Sequence, residues 1–161
     1  SFSCSACRSY HEGAFKQLQD KIEAGHLKFV YIPLTTYGSF ESSGMARGAI
    51  CAGMQGKFWE MHDVLFDWQG RYGQNSNNQA RLAAGAELLG LNKDEFNACF
   101  NSSETTALID RAASLAKERV VAATPTVYMD GAKIYPDLPD GSDGPNLNQL
   151  RGMIEAKVGA K

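Results

Sequence analysis

The chain has 161 residues, 43% of them hydrophobic and 21% charged, with 16 Lys and Arg against 18 Asp and Glu for a formal charge of −2. That length suits one domain with room for a substantial insertion, and that composition excludes disorder. No basic patch stands out, which argues against nucleic acid as a partner, and the longest strongly apolar stretch, Phe29 to Leu34, is far too short to span a bilayer.

The chain opens with Cys4 and Cys7 in a C-S-A-C pair, and helical spacing follows from Cys7 to Ile22. Tyr10, Ala14, Leu18 and Ile22 fall on one stripe, with Phe15 beside it, and Gly25 ends the helix. Lys28 to Leu34, rich in β-branched and aromatic residues, reads as a buried strand with Pro33 near its end. A polar loop runs from Thr35 to Ser43. Helices are then predicted over Gly44 to Met54 and Lys57 to Trp68, the second with Phe58, Met61, Leu65 and Trp68 on one face. Gln69 to Asn78 is a turn, and Ala80 to Leu89 a further helix. Asn92 with Glu95 resembles a capping box for a helix ending at Phe100, and Ser103 is read as the cap of the next. That helix extends to about Val121, with Leu108, Ala112, Leu115 and Val120 inward. Thr126 to Met129 and Ala132 to Tyr135 flank an Asp130-Gly131 hairpin turn. After a Pro-, Asp- and Gly-rich loop from Pro136 to Pro145, Asn146 caps a last helix from Leu147 to Val158. The helical block between about Ser43 and Glu118 therefore interrupts a small α/β unit.

The chemistry concentrates in Cys4 and Cys7. A thiol at a helix start meets the positive end of the macrodipole and unpaired N–H groups, which favour the thiolate, the reactive form in disulfide exchange. The second thiol lies one turn on, within reach of the first. A zinc site needs four ligands, usually from two such pairs, and one pair is present. Four cysteines allow three pairings. Pairing Cys4 with Cys7 leaves Cys51 with Cys99, closing a loop worth about 4 kcal/mol on the chain-entropy model, in an oxidising compartment. The alternative is that Cys51 and Cys99 are separate buried thiols.

Other candidates carry less. His11, four residues beyond Cys7, makes a C-x2-C-x3-H grouping that suggests copper or zinc; a solvated or core-edge histidine is the simpler reading. His62 reads as structural or exposed, and His26 as a helix C-terminal cap. Glu12 and Glu23 would tune the thiols only if buried nearby. The cluster of Phe58, Trp59, Phe66 and Trp68 reads mostly as core, with any exposed remainder available to line a substrate groove.

Four stretches together resemble the DsbA-like disulfide oxidoreductases, a thioredoxin fold with a helical insertion. They are Ser1 to Cys7, the run Gln55-Gly56-Lys57-Phe58-Trp59-Glu60-Met61-His62-Asp63, Phe96-Asn97-Ala98-Cys99, and Ala123-Thr124-Pro125-Thr126-Val127. The resemblance implies an α/β fold with a discontinuous thioredoxin-like domain, residues 1–42 and 119–161, around an inserted helical domain, residues 43–118. Such a fold has a central strand before the active-site cysteine. Only three residues precede Cys4, so the expectation is of a longer protein whose preceding part supplies that strand and an export signal or anchor.

For the site, the resemblance implies Cys4 as nucleophile, Cys7 as internal resolving thiol, Cys99 as a second structural cysteine and a cis bond before Pro125. Thr124 then offers its backbone to an extended substrate segment. It also implies an extracytoplasmic enzyme without bound cofactor, acting on reduced or unfolded exported proteins and reoxidised by a membrane quinone-linked partner of the DsbB or VKOR kind. Strong oxidants of the family carry a histidine donor between the cysteines. Here Ser5 and Ala6 stand there, and Ala6 donates nothing, which leaves a reductase or isomerase role open. Two rivals from other classes are a copper-binding assembly module using Cys4, Cys7 and His11, and a non-catalytic peptide-binding chaperone on the same scaffold.

Overall fold

The helix that reads as continuous after the cysteines is irregular in its middle. In the computed structural model, which describes residues 1–136 and 146–158, α1 (Ser5–Tyr10) passes into a π-helical turn (His11–Phe15), a 3₁₀ turn (Lys16–Leu18) and α2 (Gln19–Glu23). Tyr10, Ala14, Phe15 and Leu18 are buried as the stripe requires, and His11 joins them. The wider π turn accommodates this, since more residues per turn let His11, Ala14 and Phe15 all face inward. The His11 and Phe15 rings lie 5.8 Å apart, stacked, and Phe15 meets Phe29 at 4.8 Å. Gly25, at φ +75°, ends the run. Its N–H donates to the carbonyl of Ile22 and that of His26 to Lys21, the paired closure that a left-handed residue makes possible.

Lys28 to Leu34 is not a strand. A ladder needs a neighbour, and among the described residues this segment finds none, so Val30 and Ile32 are exposed. The sheet that is described is the predicted hairpin, β1 (Val127–Met129) antiparallel to β2 (Ala132–Tyr135). Asp130 and Gly131 both have positive φ, as the tight turn between right-twisted strands demands. The Pro136 to Pro145 loop lies outside the described residues beyond Pro136. α8 (Leu147–Val158) begins where predicted, with Asn146 Oδ1 accepting from the N–H groups of Asn148 and Gln149.

Contacts divide the chain into two compact units, Ser1–Cys4 with Ile32–Ala122, and Ser5–Tyr31 with Ala123–Lys161. In the second, α8 packs on the π turn, and Leu18, Ile134, Leu150 and Ile154 are buried.

The first unit is built around α3 (Ser43–Met54), whose Gly44, Ala46, Gly48, Ala49 and Ala52 are all buried. Small residues on every side let four helices approach it: α4 (Phe58–Tyr72), α5 (Gln79–Leu88), α6 (Lys93–Phe100) and α7 (Ser103–Glu118). A Cβ on Gly48 would stand 3.2 Å from Leu82, and one on Gly85 would meet the Trp68 ring at 2.6 Å. On α4, Met61 and Leu65 are buried while Phe58 and Trp68 are half-buried. A disulfide joins Cys51 of α3 to Cys99 of α6, with the Thr105 hydroxyl 3.8 and 3.3 Å from the two sulfurs.

Two details of α7 differ from expectation. Its cap is Ser102, whose Oγ accepts from the Thr105 N–H at 3.1 Å, one residue before the predicted Ser103. Its inner stripe is Thr105, Ala112 and Ala116, whereas Leu108, Leu115 and Val120 are exposed. Small residues and Thr105 hold the inner face, and the leucines lie outside it.

Val120 ends α7 at φ 51°, with the Val120 and Val121 N–H groups closing on Lys117 and Ala116. A β-branched residue is strained there, at roughly 1–2 kcal/mol, where glycine is not. Since Val120 is 85% exposed, little packing offsets the strain. Val120→Gly is therefore expected to stabilise by about 1 kcal/mol, raising the melting midpoint by about 2–4 °C. A midpoint at or below that of the parent contradicts the account.

Candidate active site

The peptide leading into Cys4 is held from several sides by the first unit. Gln69, on α4, donates its Nε2–H to the carbonyl of Phe2 at 2.8 Å. Ser39 donates both its backbone N–H and its hydroxyl to the carbonyl of Ser3, each at 3.2 Å. The hydroxyls of Ser1, Ser3 and Ser42 cluster at 3.1 to 3.4 Å, and that of Ser42 donates on to the carbonyl of Thr35. The loop can press this closely because residue 38 is glycine. A Cβ there would fall 2.1 Å from Ser3 Oγ and 2.5 Å from its carbonyl carbon.

Cys4 itself is half-buried, and α1 begins at the next residue. Cys7, 5% exposed, lies on α1 with its side chain inside. Ser5 and Ala6 between them are exposed. The two cysteines thus differ in exposure, the first half-buried and the second buried.

The Phe2 ring belongs to an aromatic cluster around His62 of α4. Phe66, Trp59, Phe2 and Phe58 surround the imidazole at centroid distances of 5.0, 5.2, 5.8 and 6.1 Å. Burial among these rings disfavours the imidazolium and lowers the His62 pKa, and the Asp63 carboxylate, 3.3 Å from Nδ1, opposes this only in part. The folded state therefore binds this proton less readily than the unfolded chain does. Stability from this residue is whole above the ordinary histidine value near 6.5 and drains as pH falls from there through the lowered folded pKa. His62→Phe, which fills the same cage, is expected to flatten the melting temperature between pH ~7 and ~5 relative to the parent. An unchanged slope would exclude His62 as its source.

The remaining candidates are distributed as follows. His11 is buried in the π turn rather than solvated or at the core edge. Glu12 is exposed, 3.9 Å from Arg8, and Glu23 is exposed as well, so neither is a buried tuner of the thiols. His26 caps through its backbone, its side chain being exposed. Of the aromatic cluster, Phe66 is core while Phe58, Trp59 and Trp68 are half-buried. The Thr124–Pro125 peptide bond is cis, both residues are half-buried, and the Thr126 hydroxyl donates to the carbonyl of Ala123 at 2.6 Å. Sequence reasoning missed Gln69, Gly38, Ser39 and Ser42. Gly38 was visible only as a loop marker, and nothing in the spacing links Gln69 to a residue 67 positions earlier.

The model of a thioredoxin family, described as Thioredoxin, matches residues 1–156. A protein-disulfide oxidoreductase, as it is named, of Rickettsia conorii is 24% identical over 134 residues, covering 81% of this chain and 47% of that protein. The chain thus spans about half the length of the curated relatives it matches. A crystal structure of a Pseudomonas aeruginosa DsbA variant superposes with a TM-score of 0.71 at 19% identity, over 99% of this chain and 84% of that one. A thioredoxin-like oxidoreductase from Silicibacter pomeroyi gives 0.65 at 20% identity, over 97% and 81%. With the family model running over nearly its whole length and the DsbA architecture of a thioredoxin fold carrying inserted helices, the chain belongs to the thioredoxin family.

Proposed function

We propose that this chain is the catalytic part of a DsbA-like thiol–disulfide oxidoreductase that forms disulfides in exported proteins. The observation that carries the reading is the unequal access of its two thiols, Cys4 half-buried directly before a helix and Cys7 shielded one turn on. In the oxidised enzyme a substrate thiolate attacks the sulfur of Cys4, the Cys4–Cys7 bond breaks, and Cys7 leaves with the electron pair as thiolate. A second substrate thiolate then attacks the substrate sulfur of the mixed disulfide. Cys4 leaves as thiolate, the substrate gains one disulfide, and the enzyme holds two more electrons. Cys7 resolves the same intermediate in the reverse direction. Thr124 and Pro125 contribute the backbone against which an extended substrate lies as an added strand.

The Cys51–Cys99 disulfide supports an oxidising compartment, since bonds of this inert kind do not persist in a reducing cytosol. Among the described residues no helix is long and apolar enough to cross a membrane. The reoxidant in this reading is a membrane quinone-linked partner of the DsbB or VKOR kind, which takes the two electrons from reduced Cys4 and Cys7. The residues 43–118 are read as the helical domain inserted into the thioredoxin-like one.

Direction turns on the reduction potential of the Cys4–Cys7 pair. A value at or above about −180 mV, that of the isomerases, supports an oxidase, and one near about −270 mV, that of thioredoxin, a reductase. Equilibration of the purified protein against glutathione buffers measures it. The absence of any exchange with a dithiol peptide at any buffer ratio removes the enzymatic reading.

A further inference from the structure

Gln69 occupies a place where an amide has no packing reason to be. It continues the inner stripe of α4 after Met61 and Leu65, and it is 9% exposed. An uncharged polar group buried there costs free energy unless it is bonded, and its donor is spent on the carbonyl of Phe2. Ser39 holds the next carbonyl, that of Ser3, from the other side. Two successive peptide planes before Cys4 are therefore fixed, one by a regular helix and one by the Gly38 loop.

We infer that Gln69 is a positioning residue for Cys4, a role that rests on the reading of Cys4 as the nucleophile. The support a helix start gives a thiolate falls off within one turn, so it depends on where the sulfur stands relative to the first N–H groups. With the carbonyls of Phe2 and Ser3 both held, the backbone leading into Cys4 has one orientation. Without the Gln69 donor the Phe2 carbonyl loses that bond, and Ser39 alone holds the approach to Cys4. Gln69 touches no reacting atom and acts wholly through the backbone it holds.

The test is Gln69→Met, which keeps the length and helix propensity of the side chain and removes the donor. Cys4 is followed by thiolate absorbance against pH in the Cys7→Ala background, and by its alkylation rate near pH 7. The control is Asn78→Ala, which removes the cap of α5, destabilising the same unit without touching Phe2. Gln69→Met is expected to move the Cys4 ionisation midpoint up by about one unit and to slow alkylation near pH 7 by up to about threefold, with the control unchanged in both. A folded Gln69→Met protein with the parent midpoint and rate overturns the inference, as does an equal shift in the control.

Should Gln69→Met not fold, Gln69→Glu replaces it. Its carboxyl donates only when protonated, so its alkylation deficit against the parent must shrink from pH ~8 to ~5, and a deficit constant over that range overturns the inference. Because alkylation reports on Cys4 without any partner thiol, these outcomes stand even if the parent protein shows no disulfide exchange, the result that would count against the proposed enzyme instead.

Discussion

Cys4→Ser is expected to reduce thiol–disulfide exchange to the uncatalysed background, while Cys7→Ser retains attack by Cys4 and accumulates the mixed disulfide. A serine oxygen forms no disulfide, so the first substitution removes the acceptor of the substrate thiolate altogether. The second removes the enzyme's own disulfide but leaves a Cys4 thiolate that attacks a substrate disulfide, with no internal thiol to resolve the product. Lowering a thiol pKa from about 8.5 to about 6.5 raises the thiolate fraction at pH 7 some ~25-fold, but with a Brønsted coefficient of ~0.45 it costs ~8-fold in nucleophilicity. The net gain in attack is only about threefold. Such a lowering also makes a nucleophilic cysteine a better leaving group and stabilises the reduced form, so in the proposed oxidase its larger consequence would be thermodynamic, a pair that readily gives its disulfide away.

The assay is exchange with a peptide disulfide, in which the Cys4 thiolate attacks one peptide sulfur and the other leaves as thiolate, with the trapped species resolved by mass under non-reducing conditions. Full activity of Cys4→Ser, or trapping in Cys4→Ser rather than Cys7→Ser, would reverse the roles given to the two sulfurs. Shielding of Cys7 argues against that reversal, since the attacked sulfur must be reached in line with the bond that breaks.

How much of this was readable beforehand depends on whether the deciding interaction is local. The hairpin was legible because Asp130-Gly131 sets its own turn, and α8 because Asn146 caps it with its own side chain. The stripe on α4 survived because periodicity reports the buried face directly. Lys28 to Leu34 failed for the opposite reason: composition reports a liking for sheets, whereas a strand exists only as one of a pair. Leu108 and Leu115 failed because the inner face of α7 is taken by Thr105, Ala112 and Ala116, a choice of face that apolar periodicity alone does not make. Cys4, Cys7 and Thr124-Pro125 stand out as candidates by residue type alone. The grip on Cys4 does not, because Gln69, Gly38 and Ser39 acquire meaning only when chain separations of 36 and 67 residues are closed.

Removing the disulfide as Cys51→Ala with Cys99→Ala is expected to cost about 2–4 kcal/mol and to lower the melting midpoint by about 4–16 °C. The two cysteines are 48 positions apart, and the crosslink denies the unfolded chain the entropy of that open loop, worth about 4 kcal/mol. The lower end of the range allows for residual structure in the unfolded chain, which reduces the entropy the crosslink removes. It also allows for contacts that outlast the bond. Arg47 of α3 still donates to the carbonyl of Phe100 at 2.9 Å and to Thr106 at 2.8 Å.

The double variant isolates crosslink from chemistry, because nothing it removes touches the peptide before Cys4, which is held from α4 and the Gly38 loop. Its exchange rate below the transition should match that of the parent. Loss of exchange at a temperature where the helices are still folded would mean that the crosslink serves the reaction as well as the fold. A fall in midpoint of less than about 2 °C would mean that apolar packing around Cys51, not loop closure, holds these helices together.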